Sequence, residues 1–116
     1  MEALPPNKGR PEAKIQKAIC NRLRQKGWYV RETHGNMYQS GFPDVYATHQ
    51  KYGQRWIEVK LPNMKGSHFT RAQKDVFPQL VANGTKIWII TGHNDYELDK
   101  LFKPQNIMNF FDKLIS

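Results

Sequence analysis

Ser40-Gly41-Phe42-Pro43-Asp44-Val45-Tyr46, followed after a polar connection by Trp56-Ile57-Glu58-Val59-Lys60, decides how the rest of the chain is read. Val45 and Ala47 alternate with Asp44, Tyr46 and Thr48, while Ile57, Val59 and Leu61 alternate with Trp56, Glu58 and Lys60. A period of two marks short strands, here joined by His49 to Gln54. Side chains on a strand alternate faces, so Glu58 and Lys60 point the same way. If the strands pair as a hairpin, Asp44 joins them at one edge and two carboxylates meet one ammonium. Two hard oxygen anions side by side suit Mg²⁺, which takes one or two carboxylates and completes its octahedron with water and phosphate oxygens. A neighbouring lysine can orient or deprotonate the attacking water and offset charge on a scissile phosphate. The chemistry implied is phosphodiester hydrolysis.

Working outward, the whole chain has 116 residues, enough for one domain with a core but not for two. Its net charge of +8, from 18 Lys and Arg against 10 Asp and Glu, favours a polyanionic partner, and nucleic acid is the obvious one. A single cysteine, Cys20, excludes an internal disulfide framework and fits a reducing compartment. No apolar leader and no stretch of membrane-spanning length is present, so the expectation is a cytoplasmic protein with no membrane partner.

Residues 1–10, with Pro5, Pro6, Gly9 and two basic residues, read as a flexible basic N-terminal arm, and 11–116 as a single domain. A first helix should open near Pro11 and stop before Gly27, with Ile15, Ile19 and Leu23 as its apolar stripe. Glu12 leads that stripe. It either reaches the metal edge of the sheet or only complements the helix dipole; Gln16 is a weaker candidate. Trp28 to Thr33 reads as a strand, and the loop His34 to Ser40 offers Tyr38 or His34 to sugar or base. In Ser40-Gly41 the glycine would permit close backbone approach to phosphate. After Lys60, Lys65 and His68 are either phosphate contacts or parts of a plain loop. Thr70-Arg71-Ala72-Gln73 has the form of a capping box, which by itself explains Gln73. That helix runs to Asn83-Gly84, with Pro78 expected to kink or split it. Lys86 to Thr91 has the profile of a central strand covered on both faces. Tyr96 to Phe102 reads as a short helix, and Pro104 to Leu114 as a last one that closes the core or forms part of a dimer interface. This order gives an α/β sandwich, a mixed sheet with helices on both sides.

Pro43-Asp44 followed by Glu58-x-Lys60 matches the PD-(D/E)xK signature of restriction-endonuclease-like nucleases. The longer set of Ser40 to Asp44, Glu58-Val59-Lys60 and Phe69-Thr70-Arg71-Ala72-Gln73 resembles the VRR-NUC (virus-type replication-repair nuclease) family, over about Glu12 to Ile90. The resemblance implies an αβββαβ core whose central mixed sheet is flanked by helices. It also implies a metal-dependent endonuclease acting on DNA. Asp44 and Glu58 would then bind Mg²⁺ or Mn²⁺, Glu12 would add a ligand from the first helix, and the Val59 carbonyl another. Lys60 would assist the water, and Gln73 would position it or the phosphate, leaving open whether Gln73 is catalytic or only a cap. Ser40, Gly41, Tyr38, Lys65, His68 and Arg71 would contact nucleic acid. Stand-alone members of similar size act as homodimers on branched DNA such as four-way (Holliday) junctions, which implies a part in DNA repair and, by family habit, a viral or mobile-element origin. The alternatives are a restriction-type or nicking enzyme on duplex DNA, and a catalytically silent DNA-binding module.

Overall fold

The computed structural model describes residues 10–33 and 41–116. The N-terminal arm, and the loop with His34, Tyr38 and Ser40, therefore lie outside the described residues, apart from Arg10, which belongs to the first helix. Helix α1 (Arg10–Gln25) carries Glu12 in its first turn and Arg22 and Arg24 in its last, each complementing the helix dipole. It ends where Gly27 adopts a φ of +89° and the Trp28 amide bonds back to the Leu23 carbonyl at 3.0 Å. Three antiparallel strands follow: β1 (Tyr29–Glu32), β2 (Val45–His49) and β3 (Gly53–Val59). Next come α2 (Arg71–Ala82), β4 (Ile87–Ile90) parallel to β3, and α3 (Asp95–Asp99). The last helix is α4 (Phe111–Ile115). The architecture is α/β, a four-stranded mixed sheet in the order β1-β2-β3-β4 with flanking helices.

The period-two pattern is what sorts the sheet's two faces. Val30, Val45, Ala47, Ile57 and Val59 point toward α1, where Ile19, Cys20 and Leu23 complete one core. Ile87 and Ile89 face the other way, onto Phe69 and Phe77 and onto Ile107 and Leu114 from the C-terminal segment. Tyr46 opposite Trp56 and Val45 opposite Ile57 fix the hairpin register, and a one-residue slip would exchange the buried and open faces. The hairpin turn is tighter than the alternation suggests, because β3 already begins at Gly53 (φ +84°).

Three expectations need correction. Pro78 does not split its helix: α2 runs through it from Arg71 to Ala82. Proline removes one amide donor there, while Phe77, fully buried beside it, anchors the segment. β4 is not central. Among the described residues it pairs only with β3, yet all four of its residues are buried. Its outer edge is closed by side chains, not by a strand. Gln105 Oε1 accepts from the Ile87 amide at 2.8 Å, Asn106 Oδ1 accepts from the Ile89 amide at 2.7 Å, and Asn106 Nδ2 donates to the Ile89 carbonyl at 2.9 Å. For the same reason the last helix does not open at Pro104. Residues 104–106 are spent on that edge, and a 3₁₀ turn begins only at Ile107. Ile107 and Leu114 then close the core as expected, while Met108 stays 56% exposed.

Asn106 thus stands in for a missing strand. Asn106→Ala should cost about 2–3 kcal/mol, because it leaves a buried amide and carbonyl without partners, measured as the shift in urea midpoint. A loss below about 0.5 kcal/mol, the ordinary surface value, would contradict this reading of the edge.

Candidate active site

The hairpin ladder ends at Val45 opposite Ile57, and Asp44 takes over where it stops. Asp44 is pinned twice. Its carbonyl accepts from the Thr33 amide at 2.8 Å, and its Oδ2 accepts from the Val59 amide at 2.9 Å. In a continued register Val59 would face Pro43, but the Pro43 carbonyl is occupied by the Thr33 hydroxyl. The carboxylate of Asp44 therefore replaces a backbone acceptor. Continued one residue beyond the ladder, the register would set Asp44 across from Glu58, and the bond to the Val59 amide keeps the Asp44 carboxylate beside the residue that follows Glu58.

Glu58 is fully buried and Lys60 is 2% exposed. Lys60 Nζ lies 3.4 Å from Glu58 Oε2 and donates to Gln73 Oε1 at 3.0 Å and to the His68 carbonyl at 2.7 Å, above the Phe69 ring at 5.0 Å. These three oxygens match the three donors of an ammonium. Gln73 reaches Glu58 Oε2 with its Nε2 at 2.8 Å while its Oε1 accepts from the Thr70 amide at 3.0 Å. The capping reading of Gln73 is thus present in the structure. Its amide closes the capping box on α2 and grips the Glu58–Lys60 pair at once. An amide has donors on one atom and an acceptor on the other, which permits this.

The remaining candidates divide. Glu12, 8% exposed, accepts from the Ser67 hydroxyl, and Ser67 Oγ in turn accepts from the Leu61 amide at 3.2 Å. The first helix is thereby tied to the residue after Lys60. Among the described residues no three His, Cys, Asp or Glu side chains form a metal-holding group. Val59 has its side chain in the α1 core and its amide on Asp44. Lys65, His68 and Arg71 are exposed around the loop and the start of α2; of these, only the His68 carbonyl touches the cluster. Gly41 has a packing cause of its own. With φ +87°, it is buried where a Cβ would lie 2.6 Å from the Ala72 carbonyl oxygen and 2.9 Å from Val76 Cγ2. The close approach it permits here is to α2. Tyr38 and Ser40 lie outside the described residues.

Two contributors escaped the sequence reading. Thr33 and Ser67 give no signal, since their hydroxyls act on residues far along the chain. Gln16, weighed only as a weak candidate, is 2% exposed and donates to Glu32 Oε1 at 3.0 Å, its own Oε1 having no hydrogen-bond partner among the described residues. Cys20 beside this pair is inert: burial first, then the nearby Glu32 carboxylate, push its thiol up to about 12.

The donor set suits a divalent cation. Carboxylates on either side of the Val59 amide, with its peptide carbonyl, are hard oxygen donors of the kind that Mg²⁺ or Mn²⁺ accepts, although Lys60 already offsets the charge of Glu58. The chain was compared with protein-family models, curated proteins and solved structures, and none matches.

A buried pair is costly to break singly. In EDTA, Lys60→Met should lose about 3 kcal/mol of unfolding free energy, whereas Glu58→Gln with Lys60→Met should recover at least half of it. Urea melts of the double-mutant cycle read this directly. Additive losses would show that the two groups do not depend on each other.

Proposed function

We propose that the chain is a metal-dependent endonuclease acting on DNA, of the PD-(D/E)xK restriction-endonuclease-like type and akin to the VRR-NUC nucleases. The observation that carries this reading is the cluster of Glu58, Lys60 and Gln73 at the end of β3, with the Asp44 carboxylate held by the amide of Val59 between Glu58 and Lys60. The element order helix, three strands, helix, strand supports the same reading. So does the net charge of +8. No described helix is long and apolar enough to cross a membrane.

Asp44 and Glu58 would hold Mg²⁺ or Mn²⁺, with the Val59 carbonyl beside them. Bound there, the ion supplies charge neutralisation at phosphate and an acidified water. The protein's own groups do the rest. The Val59 amide orients the Asp44 carboxylate, and the Gln73 amide and the Lys60 ammonium orient that of Glu58. Lys60 also brings a fixed positive charge, screened from water and held by the His68 carbonyl, to where negative charge develops on the phosphate in the transition state. Branched DNA as substrate, a homodimer that cuts symmetrically and action in the cytoplasm complete the proposal.

One observation favours a second reading, a silent DNA-binding module. Glu58 and Lys60 are buried against each other, which a purely structural ion pair would also be. The two are separated by incubating labelled four-way junction, flap and linear duplex with wild type, Asp44→Asn and Lys60→Met, in Mg²⁺, Mn²⁺ or EDTA. A nuclease should cut only with metal, and Asp44→Asn should slow cutting by roughly 100-fold or more, equivalent to the several kcal/mol a divalent ion contributes. Binding without cutting, indifferent to EDTA, would leave the binding module.

A further inference from the structure

Outside the ionic cluster, the sheet face that carries Glu58 holds a group of aromatic rings that the nuclease reading does not use. Tyr46 and Trp56 are cross-strand partners with ring centroids 5.0 Å apart, and Phe42 meets the Trp56 ring edge-on at 6.2 Å. Their side is fixed by parity. Val45, Ala47, Ile57 and Val59 fill the core under α1, so Tyr46 and Trp56 stand on the opposite face, in line with Glu58. On that face Ile87 and Ile89 of β4 are covered by α2 and the C-terminal segment, and Trp56 packs against the margin of the same layer. Toward β2 the cover ends. Tyr46 and Trp56 are half-buried, Phe42 is 40% exposed, and exposed Arg31 stands opposite Tyr46 in the register of β1 with β2.

An exposed phenylalanine is costly to keep in water, and here it stands at the end of a ring row with a guanidinium at the other end. Rings that offer π-faces beside a cation suit a flat, anionic, stackable partner. Trp56 lies two residues along β3 from Glu58, about 7 Å at the usual rise. A nucleotide step along a stacked strand is about 3.4 Å, so a base on these rings is about two nucleotides from a phosphate at Glu58. Duplex DNA keeps its base faces stacked on one another and has none to offer.

We propose that Phe42, Trp56 and Tyr46, with Arg31, form a stacking platform for unpaired nucleotides next to the cleavage point, so that the site selects DNA with a single-stranded segment. This deepens the nuclease reading and rests on it for the direction in which the strand runs. The stacking itself needs no metal.

The test is binding of the full chain to fluorescein-labelled oligo(dT) and to a matched duplex, by anisotropy in EDTA, for wild type, Phe42→Ala, Phe42→Leu and Phe42→Tyr. Thermal melts confirm folding, and sedimentation of each variant gives its oligomeric state. Phe42→Ala and Phe42→Leu should weaken oligo(dT) binding by roughly 5- to 150-fold, the range for losing one stacked base. Phe42→Tyr should restore it to within about 3-fold, and duplex binding should change little. Equal affinity for all variants would overturn the platform, as would Phe42→Leu performing like Phe42→Tyr. A change in oligomeric state without a change in oligo(dT) affinity would overturn it too, and make the rings a self-association surface. Phe42-dependent binding with no cleavage in Mg²⁺ or Mn²⁺ would remove the nuclease reading and leave the platform standing. Metal-dependent cleavage indifferent to Phe42 would do the reverse.

Discussion

The ammonium of Lys60 joins three parts of the chain at one point. Around one nitrogen it gathers Glu58 from the end of β3, Gln73 from the first turn of α2 and the carbonyl of His68 from the loop between them. Burying either charge alone would cost several kcal/mol, so the strand end, the loop and the helix start must form together or not at all. The capping box contributes to the same demand. Thr70 and Gln73 exchange hydrogen bonds, and the amide that caps the helix also holds Glu58. Local helix chemistry and the long-range ion pair are satisfied by one side chain.

Asymmetry in the sheet sets what the surroundings of this cluster can do. At β4 the sheet is closed by Gln105 and Asn106 acting as a substitute strand, and its two faces are fully packed. At β1 and β2 one face is packed under α1 while the other leaves aromatic rings and Arg31 at the surface. Asp44 sits between these regimes. It belongs to the open half by its strand and to the closed half by its bond to the Val59 amide.

Much of this was legible because it is carried by periodicity and by local signals. Val45, Ala47, Ile57 and Val59 announced the hairpin and its buried face, and Thr70 with Gln73 announced the start of α2. The approach of Lys60 to Glu58 followed from strand alternation. What was not legible depends on contacts between distant residues. The buried run Ile87 to Ile90 looks central, since nothing in it reveals that amides eighteen and seventeen residues on will seal its edge. Gly41 looked like a ligand-facing glycine, but only the packing of α2 shows what a Cβ there would strike. Ser67 as the partner of Glu12 is of the same kind. The ring row of Tyr46 and Trp56 was available in principle, as the complement of the buried alternation, yet Phe42 joins it only through the turn before β2.

The central claim proposed is that Asp44 and Glu58, near the end of the hairpin, hold a divalent cation. Calorimetric titration of Mn²⁺ into the apo-protein, beside Asp44→Asn and Glu58→Gln variants shown to be folded, tests it without any substrate. The account predicts saturable binding at a site that either substitution weakens at least about 10-fold, since each removes a charged oxygen ligand. Undiminished Mn²⁺ binding in both variants, or none in the wild type, would contradict it.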